Sequence, residues 1–301
     1  MQRHRDWRPD WPCPVGQVWS TWHKGSGDPT YRLTGGRHWR AFRTPLGTAT
    51  MAVTPLDTFG IIAADAWGDG AEWVLDRLPA MLGADDDLAG FEAQHPVVRA
   101  AQHDHPHWRF GRGGLVWHAL VPAVLEQKVT GQQAFAGYRM LVRRYGEPAP
   151  GPLPDLWVPP GPAEVKAVPS WEWLKMQVDP ARSRTLIQAA SRASGIERTL
   201  TLDEPAADTA LQSLPGIGVW TSAEIRHRAH GHADAVSFGD FHVAHNVGWA
   251  LLGRRIDDAE MAELLEPWRP HRGRVVRLLE LQAVGAPRHG PRMAAPKHLP
   301  R

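Results

Sequence analysis

Leu214-Pro-Gly-Ile-Gly-Val-Trp-Thr-Ser-Ala223 lies between two stretches of helical periodicity. Gly216 and Gly218 permit a tight hairpin whose backbone N–H groups face outward, unobstructed by side chains. The following helix starts there, so its unpaired amides and the positive end of its dipole meet at one spot. A phosphate of a nucleic-acid backbone fits that position without any side-chain charge. Ile217, between the glycines, is expected to anchor the hairpin in the core. Leu214, Gly216, Ile217, Gly218 and Thr221 are therefore the candidate backbone-binding residues. Taken alone, the same stretch also suits an ordinary connection between two helices.

Outward from the hairpin, helical periodicity runs almost unbroken from about residue 95. Leu115, Ala119, Leu120, Ala123 and Val124 share one face of a helix reaching Gln127, and Ala134–Tyr145 forms another. Helices are also predicted over Ala181–Ala193, Ala206–Ser213, Val219–His230, Phe241–Leu252, Asp258–Leu265 and Gly273–Ala283, each ended by Gly, Pro or a polar cluster. Residues 147–162 hold seven prolines and read as a stiff loop. Earlier in the chain the pattern changes. His38–Arg43, Thr48–Val53 and Phe59–Trp67 are short and β-prone, and a helix over Ala71–Leu82 follows them, stopped by Gly83. The expected fold is α+β: an antiparallel N-terminal domain, then a two-lobed helical domain with a cleft between its lobes. The boundaries are an extension at 1–34, the antiparallel domain at 35–100, the helical domain at 101–284, and a basic, disordered tail at 285–301.

Composition narrows the class. Hydrophobic residues make up 43% and charged residues 22%, as in a typical soluble globular protein. No apolar run approaches the roughly 18 to 20 residues of a membrane helix, and the N-terminus lacks a secretory pattern. The single cysteine, Cys13, excludes an internal disulfide and a cysteine-held metal site. These features point to an intracellular, cytoplasmic soluble protein with no membrane partner; it is further expected to be a monomer and, in a bacterium, associated with the nucleoid. Net charge is only +2, but from Trp268 onward eight Arg or Lys face one acid, Glu280. A local basic face suits nucleic acid as well as it suits plain solvation. Among sixteen histidines no spacing is diagnostic of a metal, including His242 and His245, so none is expected.

Leu214–Gly218, a helix, and then Ser237-Phe-Gly-Asp-Phe-His-Val243 together resemble the helix-hairpin-helix DNA glycosylases. Glu126-Gln-Lys-Val-Thr130, Pro267-Trp-Arg-Pro-His-Arg272 and Arg40-Ala-Phe-Arg-Thr-Pro-Leu-Gly-Thr-Ala-Thr50 add matches, so the resemblance spans most of residues 35 to 282. Within that superfamily the chain is most similar to the 3-methyladenine DNA glycosylase II branch. The resemblance implies a base-excision-repair enzyme that turns a damaged nucleotide out of double-stranded DNA. Asp240, 22 positions beyond Gly218, falls on the family's essential aspartate. A carboxylate there can stabilise the oxocarbenium-like sugar left when the base departs, and can orient the attacking water. From the residues alone, Asp240 also reads as the cap of the next helix. Trp220 stands where strand-cleaving members carry a lysine, which implies a monofunctional hydrolase with Trp220 as a wall of the base pocket. No cofactor is implied beyond an alkali cation between the hairpin and a DNA phosphate.

Departures from the family bear on the substrate. Alkylated purines such as 3-methyladenine are the expected class, yet family aromatics are replaced by Glu224 and Glu280. Both are candidates for the base pocket, where a carboxylate attracts a cationic base, and both also read as surface acids. Glu126 is a third pocket candidate, placed to protonate a neutral leaving base or to form an ion pair. The wedge that fills the stack falls on Lys128, with Gln127 as an alternative plug. Two other readings stand beside the first: a glycosylase for a different lesion, and a non-catalytic protein that binds DNA damage.

Overall fold

A computed structural model describes residues 2–56 and 60–286 of the 301. Strands β1 (Gln2–Trp7), β2 (Tyr31–Thr34), β3 (Arg37–Thr44), β4 (Gly47–Leu56) and β5 (Ile61–Trp67) form one sheet in the order β1-β5-β4-β3-β2, with every pair antiparallel. Alternation along the strands separates two faces. Phe42, Met51, Val53, Ile62 and Ala64 point to one, and Trp39, Ala41 and Ala52 to the other. Helix α1 (Val15–Ser20) and helix α2 (Ala71–Met81) cover the first face.

The stretch 1–34, expected as an extension, instead supplies both edges of the sheet and α1. The reason it escaped the sequence pattern is physical. β1 is an edge strand whose first residues are exposed and charged, so it carries no apolar alternation. It is held by backbone pairing to β5 and by polar links such as His4 Nδ1 to Asp65 at 2.9 Å.

The helices follow as α3 (Pro96–Asp104), α4 (Val116–Leu125), α5 (Gly131–Tyr145), α6 (Pro162–Lys166), α7 (Ser170–Lys175), α8 (Pro180–Ala190) and α9 (Ala193–Glu197), then α10 (Glu204–Gln212), α11 (Val219–Ile225), α12 (Val243–Leu252), α13 (Asp258–Leu265) and α14 (Arg272–Leu281). Arg226–His230 continues α11 as a wider π-type turn. Local signals set many of the ends. Capping boxes start α5 (Thr130 with Gln133) and α13 (Asp257 with Glu260), and Asp179 and Asp203 cap α8 and α10 ahead of a proline. The short helices α1, α6, α7 and α9 were not read from the sequence, because five or six residues are too few to show a period.

Two apolar cores result. One is built by α4 to α11 and includes Leu120, Leu141, Trp173, Leu186, Leu211, Ile217 and Ile225. The other joins the sheet and α2 to α3, α12, α13 and α14. Thus the last three helices pack with the N-terminal sheet rather than forming an independent unit with α4 to α11. The proline-rich loop folds over the sheet's second face as the short pair β6 (Glu147–Pro148) and β7 (Trp157–Val158), with Leu156 and Val158 against Trp39. No helix among the described residues is long and apolar enough to cross a membrane. Residues 287–301 of the expected tail, and Phe59, lie outside the described residues.

One ion pair locks α14 to the loop after α2. Arg274 and Asp86 are each 2% exposed at the side chain and meet through two bonds of 2.6 and 2.9 Å, and Asp86 also accepts from the Phe110 amide at 2.9 Å. Removing one partner strands a buried charge. Asp86→Ala is therefore expected to cost about 3–5 kcal/mol in a urea-unfolding experiment.

Buried histidines give a pH dependence. Burial, reinforced by Arg40 and Arg43, holds His118 down at about 3, where its Nε2 accepts from the Arg43 amide. Burial, with charged neighbours, holds His230 at about 3 and His232 at about 4. An unfolded chain binds these protons near pH 6.5, the native one only near 3 to 4. Stability should be complete above about pH 6.5 and decline as pH falls toward 4, by up to about 1.4 kcal/mol per unit for each ring. Urea midpoints measured from pH 7 to 4.5 should show this slope, and His118→Gln should flatten it.

Candidate nucleic-acid interface and carboxylate site

The hairpin joins α10 to α11. Leu214 and Ile217 are buried at 8% and 4% exposure in the core of α4 to α11, and the Ile217 amide donates to the Leu214 carbonyl at 3.0 Å. Ile217 is thus the anchor the sequence predicts. Gly216 has φ +87°, and a Cβ there would sit 2.0 Å from Thr185 Oγ1, so the tight turn requires glycine twice over. Gly218 differs: its backbone is extended, and a Cβ would meet nothing within 4 Å. It is exposed, and no side chain caps the first turn of α11. The fold does not need glycine at 218; an approaching ligand would.

Thr221, proposed as a backbone contact, is only 2% exposed. Its hydroxyl accepts from Gln127 Nε2 at 2.8 Å, and the same amide group donates to the Gly216 carbonyl at 2.9 Å. Both residues are corrected by this geometry. Thr221 faces inward, and Gln127 is a strut between the end of α4 and the hairpin rather than a free plug. Lys128 stands exposed in the turn between α4 and α5 with φ +54°.

Asp240 lies half-buried across from the start of α11. Its Oδ1 accepts from the His242 and Val243 amides at 2.7 and 3.2 Å, and its Oδ2 accepts from Trp220 Nε1 at 3.0 Å. Asp240 Oδ1 thus holds the turn that leads into α12, but the helix begins at Val243 rather than Phe241 with His242 at its N-cap, so Asp240 stands two residues ahead of the cap position expected of it. Gly239 makes the approach with φ +85°, and its amide donates to Asp258 Oδ2 at 2.8 Å. Phe241, next in the chain, is 79% exposed.

Glu224 is not a surface acid. It is 7% exposed, and both oxygens are engaged: Oε2 by Arg228 Nη1 at 2.6 Å, Oε1 by Ser237 Oγ at 2.5 Å and Arg277 Nη2 at 3.3 Å. Burial opposes its charge, yet the two guanidiniums hold its carboxyl well below the usual carboxylate range. With both oxygens taken, no free carboxylate remains there for a cationic base. His227 Nδ1 accepts from Arg277 Nη2 at 2.8 Å and its Nε2 bonds the Ala235 carbonyl, which assigns the neutral Nε2–H form. Burial and then Arg277 hold that ring well below its ordinary value. Glu280 is exposed and pairs with Arg277 Nη1 at 2.6 Å, so it caps the cluster from outside rather than lining it.

Glu126 follows the last residue of α4 and pairs with Lys24 Nζ at 2.7 Å. That is the ion-pair reading of Glu126. Lys24 is 5% exposed, and burial lowers its pKa while Glu126 opposes the shift. Arg228 donates from Nε to the Thr21 carbonyl at 2.8 Å, which brings the α1 region against α11. Trp108, Phe110, His227, Arg228 and Arg277 line a small recess beside the cluster. Sequence reading missed Lys24, Ser237, Arg228 and Arg277. Only the Glu224/Arg228 spacing of four on one helix gave a signal. Among the described residues, no group of three or more His, Cys, Asp or Glu is placed to hold a metal.

No protein-family model matches the sequence, and no curated protein sequence matches it. Solved structures do. A 3-methyladenine DNA glycosylase from Archaeoglobus fulgidus superposes with a TM-score of 0.77 at 15% identity, over 93% of this chain and 98% of that one. An 8-oxoguanine glycosylase/lyase from Clostridium acetobutylicum, solved with double-stranded DNA, gives 0.73 at 9% identity, over 94% and 97%. At such identities the likeness speaks for architecture, and it extends over more than nine-tenths of the chain. The chain has the fold of the helix-hairpin-helix DNA glycosylases.

Proposed function

We propose that this protein is a monofunctional DNA glycosylase of base excision repair, acting as a monomer on damaged double-stranded DNA. The observation that carries the reading is the pairing of two features within a few residues. An uncapped helix start at Gly218 can take a backbone phosphate, and the Asp240 carboxylate is held by Trp220 two residues further on. With the hairpin on the backbone and the nucleotide turned out, Asp240 stabilises positive charge at the sugar carbon and orients the water that replaces the base. Charge neutrality is restored when that water gives its proton to the carboxylate or to solvent.

Hydrolysis without strand cleavage is the mode that the residues beside Asp240 support. No lysine occurs between Lys175 and Lys297, so α11 and the Asp240 loop offer no amine to attack the sugar. Lys24 is committed to Glu126. The proposed substrates are alkylated purines, 3-methyladenine among them. Ring alkylation makes the base cationic, so it leaves without a strong general acid, and the Trp220 π-face can recognise it. A different lesion is a second reading, favoured by one observation: Glu224 and Glu280, the two acids at positions where aromatics are expected, are both paired with Arg277. An alkali cation could rest on the hairpin carbonyls, since Gly216 O keeps a lone pair beyond the one facing Gln127, and would add positive charge against a phosphate.

Release of free base from methylated DNA tests this directly. Asp240→Asn should lower the rate by at least about 100-fold with DNA affinity retained; no release by the wild-type protein overturns the proposal. The hairpin glycines separate folding from binding. Gly216→Ala should lose about 1–3 kcal/mol of stability and bind DNA less well, because the turn itself is strained. Gly218→Ala should keep the wild-type melting temperature yet bind duplex DNA about 3- to 10-fold more weakly, in a salt-controlled titration.

A further inference from the structure

Three side chains on one face of α11 and its continuation reach the loop that carries Asp240. Trp220 Nε1 donates to Asp240 Oδ2 at 3.0 Å, Glu224 Oε1 accepts from Ser237 Oγ at 2.5 Å, and His227 Nε2 bonds the Ala235 carbonyl. Positions 220, 224 and 227 are four and three apart, the spacing of one helix face. Their partners run 240, 237 and 235, so the loop lies antiparallel to the helix with a rung at each turn. The rungs are not interchangeable. The lower two are buried: Glu224, His227, Ala235 and Ser237 are all under 9% exposed. The Trp220–Asp240 rung lies at the open end, half-buried, two residues from Gly218.

We propose that Trp220 is a positioning residue for Asp240, and that the Ser237–Glu224 rung sets the loop from which Asp240 projects. The two backbone amides bind only Oδ1 and leave the carboxylate free to turn about that oxygen. The indole N–H on Oδ2 fixes the carboxylate plane and leaves that oxygen a lone pair for the sugar or water. Because Trp220 follows the hairpin directly, the segment that meets the DNA backbone also aims the carboxylate. Glu224, where an aromatic is expected, then acts on the loop and not on the base. This rests on the glycosylase reading, and its test is chosen to tell the two apart.

Trp220→Phe keeps the ring and removes the donor. Single-turnover base release should fall roughly 10- to 100-fold, while DNA affinity changes by less than about twofold. Ser237→Ala should fall about 3- to 10-fold with the ion cluster intact. The indole N–H resonance of Trp220, identified by its loss in Trp220→Phe, should move upfield in Asp240→Ala. Wild-type release rates in Trp220→Phe, or an unmoved indole resonance, overturn the positioning role. A resonance that moves in a protein releasing no base upholds the contact and overturns the glycosylase reading instead.

Discussion

The buried carboxylate of Glu224 is the contact through which the parts of this protein hold one another. Its own helix belongs to the core of α4 to α11, while Arg277 comes from α14 in the other core. Arg228 carries the link on to the Thr21 carbonyl beside α1, and Ser237 carries it to the Asp240 loop. A charge this deep is costly to desolvate, and only full pairing makes it tolerable. Two guanidiniums and a hydroxyl supply that pairing. The arrangement is stiff because each partner has a second commitment: Arg277 to Glu280 and His227, Arg228 to the Glu224 and Thr21 carbonyls.

Near this cluster three stretches far apart in the chain are tied together. Lys24 pairs with Glu126, and Gln127 ties that pair to the hairpin by reaching both Gly216 and Thr221. The buried charges of this region are paired with opposite signs, so it is polar but locally compensated. Such a site is preorganised by hydrogen bonds rather than by shape alone, which suits stabilisation of developing charge. What stays exposed is the part that would meet a partner: the Gly218 amide edge, Lys128 and Phe241.

Much of this was legible in the residues. Gly216 before an apolar Ile217, followed by helical periodicity, specifies a hairpin because its left-handed backbone and close approach to Thr185 leave few alternatives to glycine. The helices α4, α5, α8, α12, α13 and α14 show in their apolar spacing, and α5, α8 and α13 also in their caps. Asp240 was findable through the resemblance of Ser237–Val243 to the glycosylase motif, 22 positions beyond Gly218. The edge strand β1 and the helix α1 were not, since an exposed charged strand and a six-residue helix carry too little pattern.

The sequence by itself determined the hairpin and the order of the main elements, because each depends on local backbone preference, while Asp240 was marked by the motif it resembles. Only the tertiary structure decided what Thr221, Gln127, Glu126, Glu224 and Glu280 touch, and that Lys24 reaches Glu126 at all. Burial and ion pairing depend on which distant segments share a volume, and neither spacing nor residue type encodes that. Asp240 belongs to both accounts. Its position in the chain was readable, but the indole that holds its second oxygen was seen only when helix and loop were brought together.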